Sequence, residues 1–241
     1  MGRLWIYGTA VFLLAALGCG PRPEPSAPSS PPAPSADSPS ADASSAAAPT
    51  VAAAGPRIVF LGDSLTAGLS LEEEEAFPAQ VGALLAAEGL DATVVNAGVS
   101  GDTSAGGLRR LDWVLRQRPD LLVVELGAND GLRGLALEAT EENLRQIIQQ
   151  ARKAGCRVLL LGMKIPPNYG QEYAGAFAAL FPKLAEELSV PLVPFLLEGV
   201  AADPELNLPD GIHPNREGHR RVASHLLPYL RPLVAELSEA K

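Results

Sequence analysis

The chain has 241 residues, 47% of them hydrophobic and 20% charged, which is an ordinary globular composition with length enough for one domain and a full core. Its formal net charge of −9 excludes a nucleic-acid partner, because phosphate binding needs a basic face. The charge says little else beyond solubility.

Residues 1–19 differ from the rest. A single cation, Arg3, precedes an apolar stretch from Leu4 to Leu17 that is too short to span a bilayer comfortably and has the form of a signal-peptide core. The ending Ala16-Leu17-Gly18-Cys19 resembles a bacterial lipoprotein signal, with Ala16 standing where that pattern prefers leucine. The resemblance implies that Cys19 becomes the lipidated first residue of the mature chain. Residues 20–56 are Pro, Ala and Ser with almost no large apolar side chain. Such a segment buries too little surface to offset its ordering entropy, and is expected to be a disordered tether between membrane anchor and folded domain. With Cys19 lipidated, Cys156 has no disulfide partner. It opens an apolar run and is expected to be a small buried thiol.

From residue 57 to residue 241 the pattern alternates. Apolar runs at 58–61, 92–96, 121–126, 157–162 and 190–195 are mostly unbroken, as strands of a parallel sheet covered on both faces require. Helical spacing lies between them. In Thr140–Lys153 the residues Leu144, Ile147, Ile148 and Ala151 share one face; Thr140 is the expected N-cap and Gly155 the stop. Helices are likewise expected over Phe77–Glu88, Ser104–Gln117, Tyr173–Leu188 and Asn215–Leu230. About five strand–helix alternations predict a three-layer α/β domain with a parallel sheet of about five strands and helices on both faces.

Ligands of such sheets bind beyond the carboxyl ends of the strands. Polar or Gly-rich turns fall there: Gly62-Asp63-Ser64-Leu65 after the first strand, Asn96–Gly107 after the second and Gly127–Asp130 after the third. Asp210–Asn215 precedes the last helix. Acyl transfer by a serine needs a base, a group holding the tautomer of that base, and donors for the oxyanion. Ser64, His213 and Asp210 can supply the first two requirements. Donors can come from the N–H of Ser64, if it opens a helix, from Gly98, whose bare backbone allows close approach, and from the amide of Asn129. Taken singly, each has a plainer reading: Ser64 as a helix cap, Gly98 and Asn129 as turn residues, Asp210–Asn215 as a helix entry. The order of the blocks, each following its strand, favours the catalytic one.

Those blocks resemble the GDSL, or SGNH, hydrolase family over residues 57–230: FLGDSLTAG around Ser64, Gly98 in NAGVSGDTS, GAND at Gly127–Asp130 and DGIH at Asp210–His213. LGANDGLRG, KIPPNYG, FPKLAEEL and DGIHPNREGH are similar to the branch of acyl-CoA thioesterase I, lysophospholipase L1 and arylesterase. The resemblance implies a flavodoxin-like fold, hydrolysis of esters and thioesters, and neither metal nor cofactor. It implies Ser64 as nucleophile, His213 as base, Asp210 as its orienter, and Ser64, Gly98 and Asn129 as the oxyanion site. Asp63 and Leu65, flanking the nucleophile, are expected to touch substrate. The segment 163–177, with two prolines holding it extended, is expected to wall an acyl pocket through Ile165 and Tyr169.

His219 and His225 lie six apart in the last helix, which is no metal-ligand spacing for one face, and are expected to be surface or packing residues. GDTSAGG lacks the lysine of a phosphate loop, and no G-x-S-x-G elbow occurs. Glu72–Glu75 is expected to be a solvated face, or else a run repelling anionic substrates near Ser64. The sequence thus predicts an exported, lipid-anchored serine esterase acting on short and medium acyl esters, aryl esters or lysophospholipids. The alternatives are a carbohydrate O-acetylesterase and a non-catalytic surface lipoprotein.

Overall fold

The computed structural model describes residues 55–240. The leader, Cys19 and the tether as far as residue 54 lie outside the described residues.

Five parallel strands, β1 (Arg57–Gly62), β2 (Thr93–Gly98), β3 (Leu121–Glu125), β4 (Arg157–Leu161) and β5 (Leu192–Val193), form one sheet in the order β2-β1-β3-β4-β5. Ile58 to Leu61 and Leu121 to Val124 are wholly buried, which explains why these strands read as continuous apolar runs. Four long helices follow strands: α2 (Phe77–Ala87), α3 (Ser104–Leu115), α5 (Leu137–Lys153) and α6 (Gln171–Leu188). A fifth, α7 (Arg216–Glu239), closes the described chain. α2 packs on α7, while α3, α5 and α6 pack in series, so the helices form two groups on either side of the sheet. This is the expected flavodoxin-like, three-layer arrangement. The chain winds outward from β1 to β2 and then reverses across β1 to β3, so the switch point opens beyond the carboxyl ends of β1 and β3. Register aligns Gly98, Gly62 and Glu125 across β2, β1 and β3 at that rim.

Local chemistry shifts several boundaries. The run 190–195 yields only two strand residues, because Pro191 and Pro194 bracket Leu192–Val193 and neither has an N–H for a ladder. Thr140 is not the cap of α5, which starts three residues earlier after Ala136. Its hydroxyl turns inward and donates to Asp130 Oδ1 at 3.2 Å. α7 begins where expected, with Asn215 Oδ1 accepting from the N–H groups of Glu217 and Gly218. It then continues nine residues beyond Leu230, through Pro228 and Pro232, because the buried stripe Leu226, Leu230, Val234 continues opposite them. Two short helices, α1 (Ser64–Ala67) and α4 (Ala128–Leu132), sit on the ends of β1 and β3.

The plainer side-chain expectations hold. Cys156 is a buried free thiol, and burial pushes its pKa up. His219 is buried in packing: its Nδ1 accepts from the N–H of Phe77 at 3.0 Å and its ring stacks on Phe77. Burial lowers its pKa to about 4, so the imidazole stays neutral and can accept that bond. His225 Nε2 donates to the Phe195 carbonyl at 3.0 Å.

Gly98 is fixed by packing as well as by any chemistry. A Cβ there would fall 2.2 Å from Ala67 N and 2.7 Å from Ala67 Cα, both backbone atoms of α1. Gly98→Ala is therefore expected to destabilise the fold by about 1–3 kcal/mol through overpacking. Thermal unfolding checks this, and an unchanged midpoint would show that α1 yields without cost.

Candidate active site

Ser64 opens α1. Asp63 caps that helix, its Oδ1 accepting from Leu65 N–H at 3.0 Å, and Gly68 ends it in the left-handed region at φ 74°. The serine hydroxyl is thus presented on a tight turn at the end of a fully buried strand. Across from it, His213 sits on the loop before α7. The loop is pinned by Leu208 N–H donating to the His213 carbonyl at 2.7 Å and Asn215 N–H donating to the Leu206 carbonyl at 2.9 Å. Gly211, at φ 71°, lets the chain fold back so that Asp210 Oδ1 accepts from the N–H groups of Ile212 and His213 at 2.9 and 3.0 Å.

Those two backbone donors, His213 first, lower the Asp210 pKa to about 2. An ionised carboxylate only accepts, so at the 2.7 Å contact His213 Nδ1–H donates to Asp210 Oδ2. The Nε2 lone pair is then free to face Ser64 Oγ–H, which donates to it at 2.9 Å. Alcohol, imidazole and carboxylate therefore stand in one line, as the sequence predicts.

The three expected oxyanion donors differ in readiness. Among the described residues no hydrogen bond engages the Ser64 N–H. Gly98 N–H donates to Asn96 Oδ1 at 2.9 Å. Asn129, on α4, donates through Nδ2 to Asp63 Oδ2 at 3.0 Å and to the Asp102 carbonyl at 2.9 Å, which uses both amide hydrogens.

Ser64, Asn129 and His213 line a cavity of about 530 Å³ with the apolar side chains of Leu65, Leu132, Met163, Ile165, Phe195 and Leu197. Leu65 and Ile165 are placed as expected for substrate contact. Asp63 borders the cavity but is 1% exposed and committed to Leu65 and Asn129, so its part is internal. Tyr169 does not line the cavity. Pro167 starts a 3-10 turn, Pro167–Tyr169, that carries Tyr169 outward to 40% exposure before Gly170 redirects the chain into α6. Glu73–Glu75 forms a 3-10 turn away from the cavity, and Glu75 pairs with Arg216, in line with a solvated face. Leu132, on α4, and Phe195 and Leu197, beyond the two-residue β5, were not anticipated as lining, whereas Met163 belongs to the segment expected to wall the pocket. Glu125 was missed too, although one carboxylate closing the apolar run LLVVE was a visible signal. Among the described residues no three His, Cys, Asp or Glu side chains gather as a metal site.

The family model for GDSL-like lipase/acylhydrolases matches residues 60–221. The chain belongs to that family. It is 44% identical to the esterase TesA of Pseudomonas aeruginosa over 183 residues, 76% of this chain and 91% of that protein. It is 45% identical to thioesterase 1/protease 1/lysophospholipase L1 of Escherichia coli K12 over 184 residues, 76% of this chain and 87% of that one. Among solved structures, the psychrotrophic esterase EstA of a Pseudoalteromonas species, in a form inhibited by monoethylphosphonate, superposes with a TM-score of 0.71 at 32% identity, covering 75% of this chain and 99% of EstA. As a GDSL-type enzyme the chain is an ester hydrolase.

A carboxyl whose pKa is lowered to about 2 stays charged throughout the ordinary assay range, so protonation of Asp210 should contribute no loss of kcat above about pH 4. Comparing kcat against pH for the parent and Asp210→Asn checks this; an acid loss that the Asn variant lacks would mean that Asp210 titrates in the assay range. Asp210→Asn should lower kcat by about 10²-fold or more by losing the tautomer lock.

Proposed function

We propose that this enzyme is an exported serine esterase working through an acyl-enzyme on Ser64. The observation that carries this is the 2.9 Å contact from Ser64 Oγ to His213 Nε2, backed by Asp210 at 2.7 Å, at the edge of an apolar cavity. Ser64 Oγ attacks the acyl carbon while its proton passes to His213 Nε2. The tetrahedral intermediate collapses, and the imidazolium protonates the departing alcohol or thiol. Water then gives a proton to His213 and attacks the acyl-enzyme, which releases the acid and restores the hydroxyl. The oxyanion is received by Ser64 N–H, with Gly98 exchanging Asn96 and Asn129 exchanging the Asp102 carbonyl for it while its other amide hydrogen stays on Asp63.

The cavity supports an acyl chain rather than a sugar. At about 530 Å³ it lies within the usual range for small-molecule sites of roughly 300–1,000 Å³. Its walls are mostly leucine, isoleucine, methionine, phenylalanine and proline, which bury hydrocarbon, and beyond the Ser64, Asn129 and His213 end Lys164 is the one charged side chain among them. Short and medium acyl esters, aryl esters and lysophospholipids fit this lining, and the acetylated-carbohydrate reading is disfavoured by it. Export rests on the leader at residues 1–19, and anchoring on Cys19 and the tether. An exported site makes cytoplasmic acyl-CoA a poor natural substrate.

Ser64→Ala should keep the unfolding midpoint while abolishing both turnover of p-nitrophenyl butyrate and labelling by a phosphonate reagent; turnover at the normal rate in that variant rules out the mechanism. Asn129→Ala should lower kcat by about 10²–10³, the usual effect of one oxyanion donor, and a change below about threefold would leave Asn129 only a turn residue. In fractionated cells, Cys19→Ala should move the protein from the membrane to the soluble fraction, and an unchanged distribution rules out the lipid anchor.

A further inference from the structure

β3 ends on a carboxyl that the proposed reaction does not use. Glu125 is wholly buried and lies in register with Gly62. Its Oε2 accepts from Asp63 N–H at 3.1 Å and from the Thr66 hydroxyl at 2.8 Å, while its buried Oε1 meets no donor. The carboxyl also lies within hydrogen-bonding reach of the Asp63 carboxyl. Asp63 in turn accepts from Leu65 N–H on Oδ1 and from Asn129 Nδ2 on Oδ2. The fold makes room for this pair: a Cβ at Gly62 would fall 2.5 Å from Glu125 Oε2 and 2.0 Å from Thr66 Oγ1.

Two adjoining carboxyls in a dry site cannot both be ionised. Burial pushes both upward. Glu125, fully enclosed and facing the charge of Asp63, goes well above its ordinary value; Asp63 rises too, but the Leu65 N–H and the Asn129 amide favour its charged form. Among the described residues no cation forms an ion pair with either carboxyl. Arg110, on α3, is bound to Asp102 at 2.6 Å and to the carbonyls of Ala97 and Gly62, and His213 acts on Asp63 from the opposite loop. The shared proton therefore rests on Glu125, and Oε1, which accepts nothing, is the oxygen free to carry it.

We propose that Glu125 is a positioning residue for the oxyanion site: as a neutral acid it donates a hydrogen bond to the Asp63 carboxylate, and the charge thus kept on Asp63 holds the Asn129 amide at the cavity beside Ser64. This rests on the esterase reading, in which Asn129 receives the oxyanion. It also accounts for a carboxyl at the end of a strand that otherwise needs only apolar residues.

Glu125→Gln tests it, because glutamine keeps an accepting oxygen and a donor toward Asp63 but has no proton to lose. In the full-length chain, kcat and KM for p-nitrophenyl butyrate are measured from about pH 5 to about pH 10. The denaturant midpoint is followed over the same range in a Ser64→Ala background, where turnover plays no part. The folded state holds a proton that the unfolded chain has already released, so stability with Glu125 should fall as pH rises through its raised folded pKa. With glutamine that fall should vanish. The Gln variant should also stay within about threefold of the parent kcat near neutrality and lack the alkaline limb expected of the parent, whereas Glu125→Met should lose about tenfold to a hundredfold in kcat with KM little changed, as misplacement of a positioned group does. An equal alkaline loss of stability in the Gln variant overturns the neutral acid. An unchanged alkaline limb in it, or parental kcat in a folded Met variant, overturns the positioning role. Should the Met variant fail to fold, the Gln profile decides alone. Full activity of Ser64→Ala would instead sink the esterase reading, and the stability comparison would still report on the Glu125 proton.

Discussion

Two carboxyls that water cannot reach, Asp63 at 1% exposure and Glu125 at 0%, meet where neighbouring buried strands end, and Ser64 stands on the turn above them. Burying such groups is costly unless each is hydrogen-bonded and no more than one is charged. The local sequence follows from meeting that condition. Gly62 leaves space for the Glu125 carboxyl, Asp63 turns its backbone N–H toward it, and Thr66 brings a hydroxyl one helical turn later. Ser64 and Leu65 are what remains of the turn to face the cavity. The Gly-Asp-Ser-Leu string is thus a folding solution for a buried polar cluster that also displays a hydroxyl at the switch point of the sheet.

A second set of contacts stiffens the same rim. Arg110 reaches from α3 to the carbonyls of Gly62 and Ala97, at the ends of β1 and β2, and pairs with Asp102. Behind Asn129, Asp130 accepts from the backbone and hydroxyl of Ser104 and from Thr140, which ties the start of α3 to α5. The proposed nucleophile and oxyanion donors therefore stand on α1, β2 and α4, at the rim of the sheet. The base does not. His213 and Asp210 lie on a loop outside the sheet, Asp210 with 42% of its side chain exposed, and that loop is kept in shape by short-range bonds and by Gly211. Ser64 and the loop-borne His213 are held in register by the 2.9 Å contact between them and by Asn215, which begins α7.

This division explains what could be read from the sequence. β1, β3 and β4 were plain because strands covered on both faces must be apolar without interruption, and the catalytic turns were plain because each follows such a run. β5 shrank to two residues because proline removes ladder donors, a detail a hydrophobic run conceals. Thr140 looked like a cap only while Asp130, ten residues away in sequence, was not seen to claim its hydroxyl. Tyr169 was placed in the pocket by its position after a strand, but one 3-10 turn reverses where a side chain points. Among the lining residues, Leu132 on the short α4 and Phe195 and Leu197 beyond β5 have no period to betray them. Gly98 shows the opposite effect: its bare backbone was read as room for a substrate oxygen, yet close approach of α1 demands it independently.

The engaged donors bear on how such a site discriminates between ground state and transition state. Asn129 and Gly98 are bonded to Asp63, the Asp102 carbonyl and Asn96. A neutral substrate carbonyl offers them an acceptor no better than those they have, so exchanging partners gains nothing while the ester is merely bound. An oxyanion is different, because hydrogen bonds to an ionised acceptor are roughly twice as strong as neutral ones. The exchange then becomes favourable as negative charge develops on the oxygen, against the neutral partners Asn96 and the Asp102 carbonyl before the charged Asp63. The Asn129 hydrogen on Asp63 is the one to stay, and it keeps the amide plane fixed while the other is handed over. Stabilisation realised only when charge appears raises kcat without tightening substrate binding, which is the use of binding energy that speeds a chemical step.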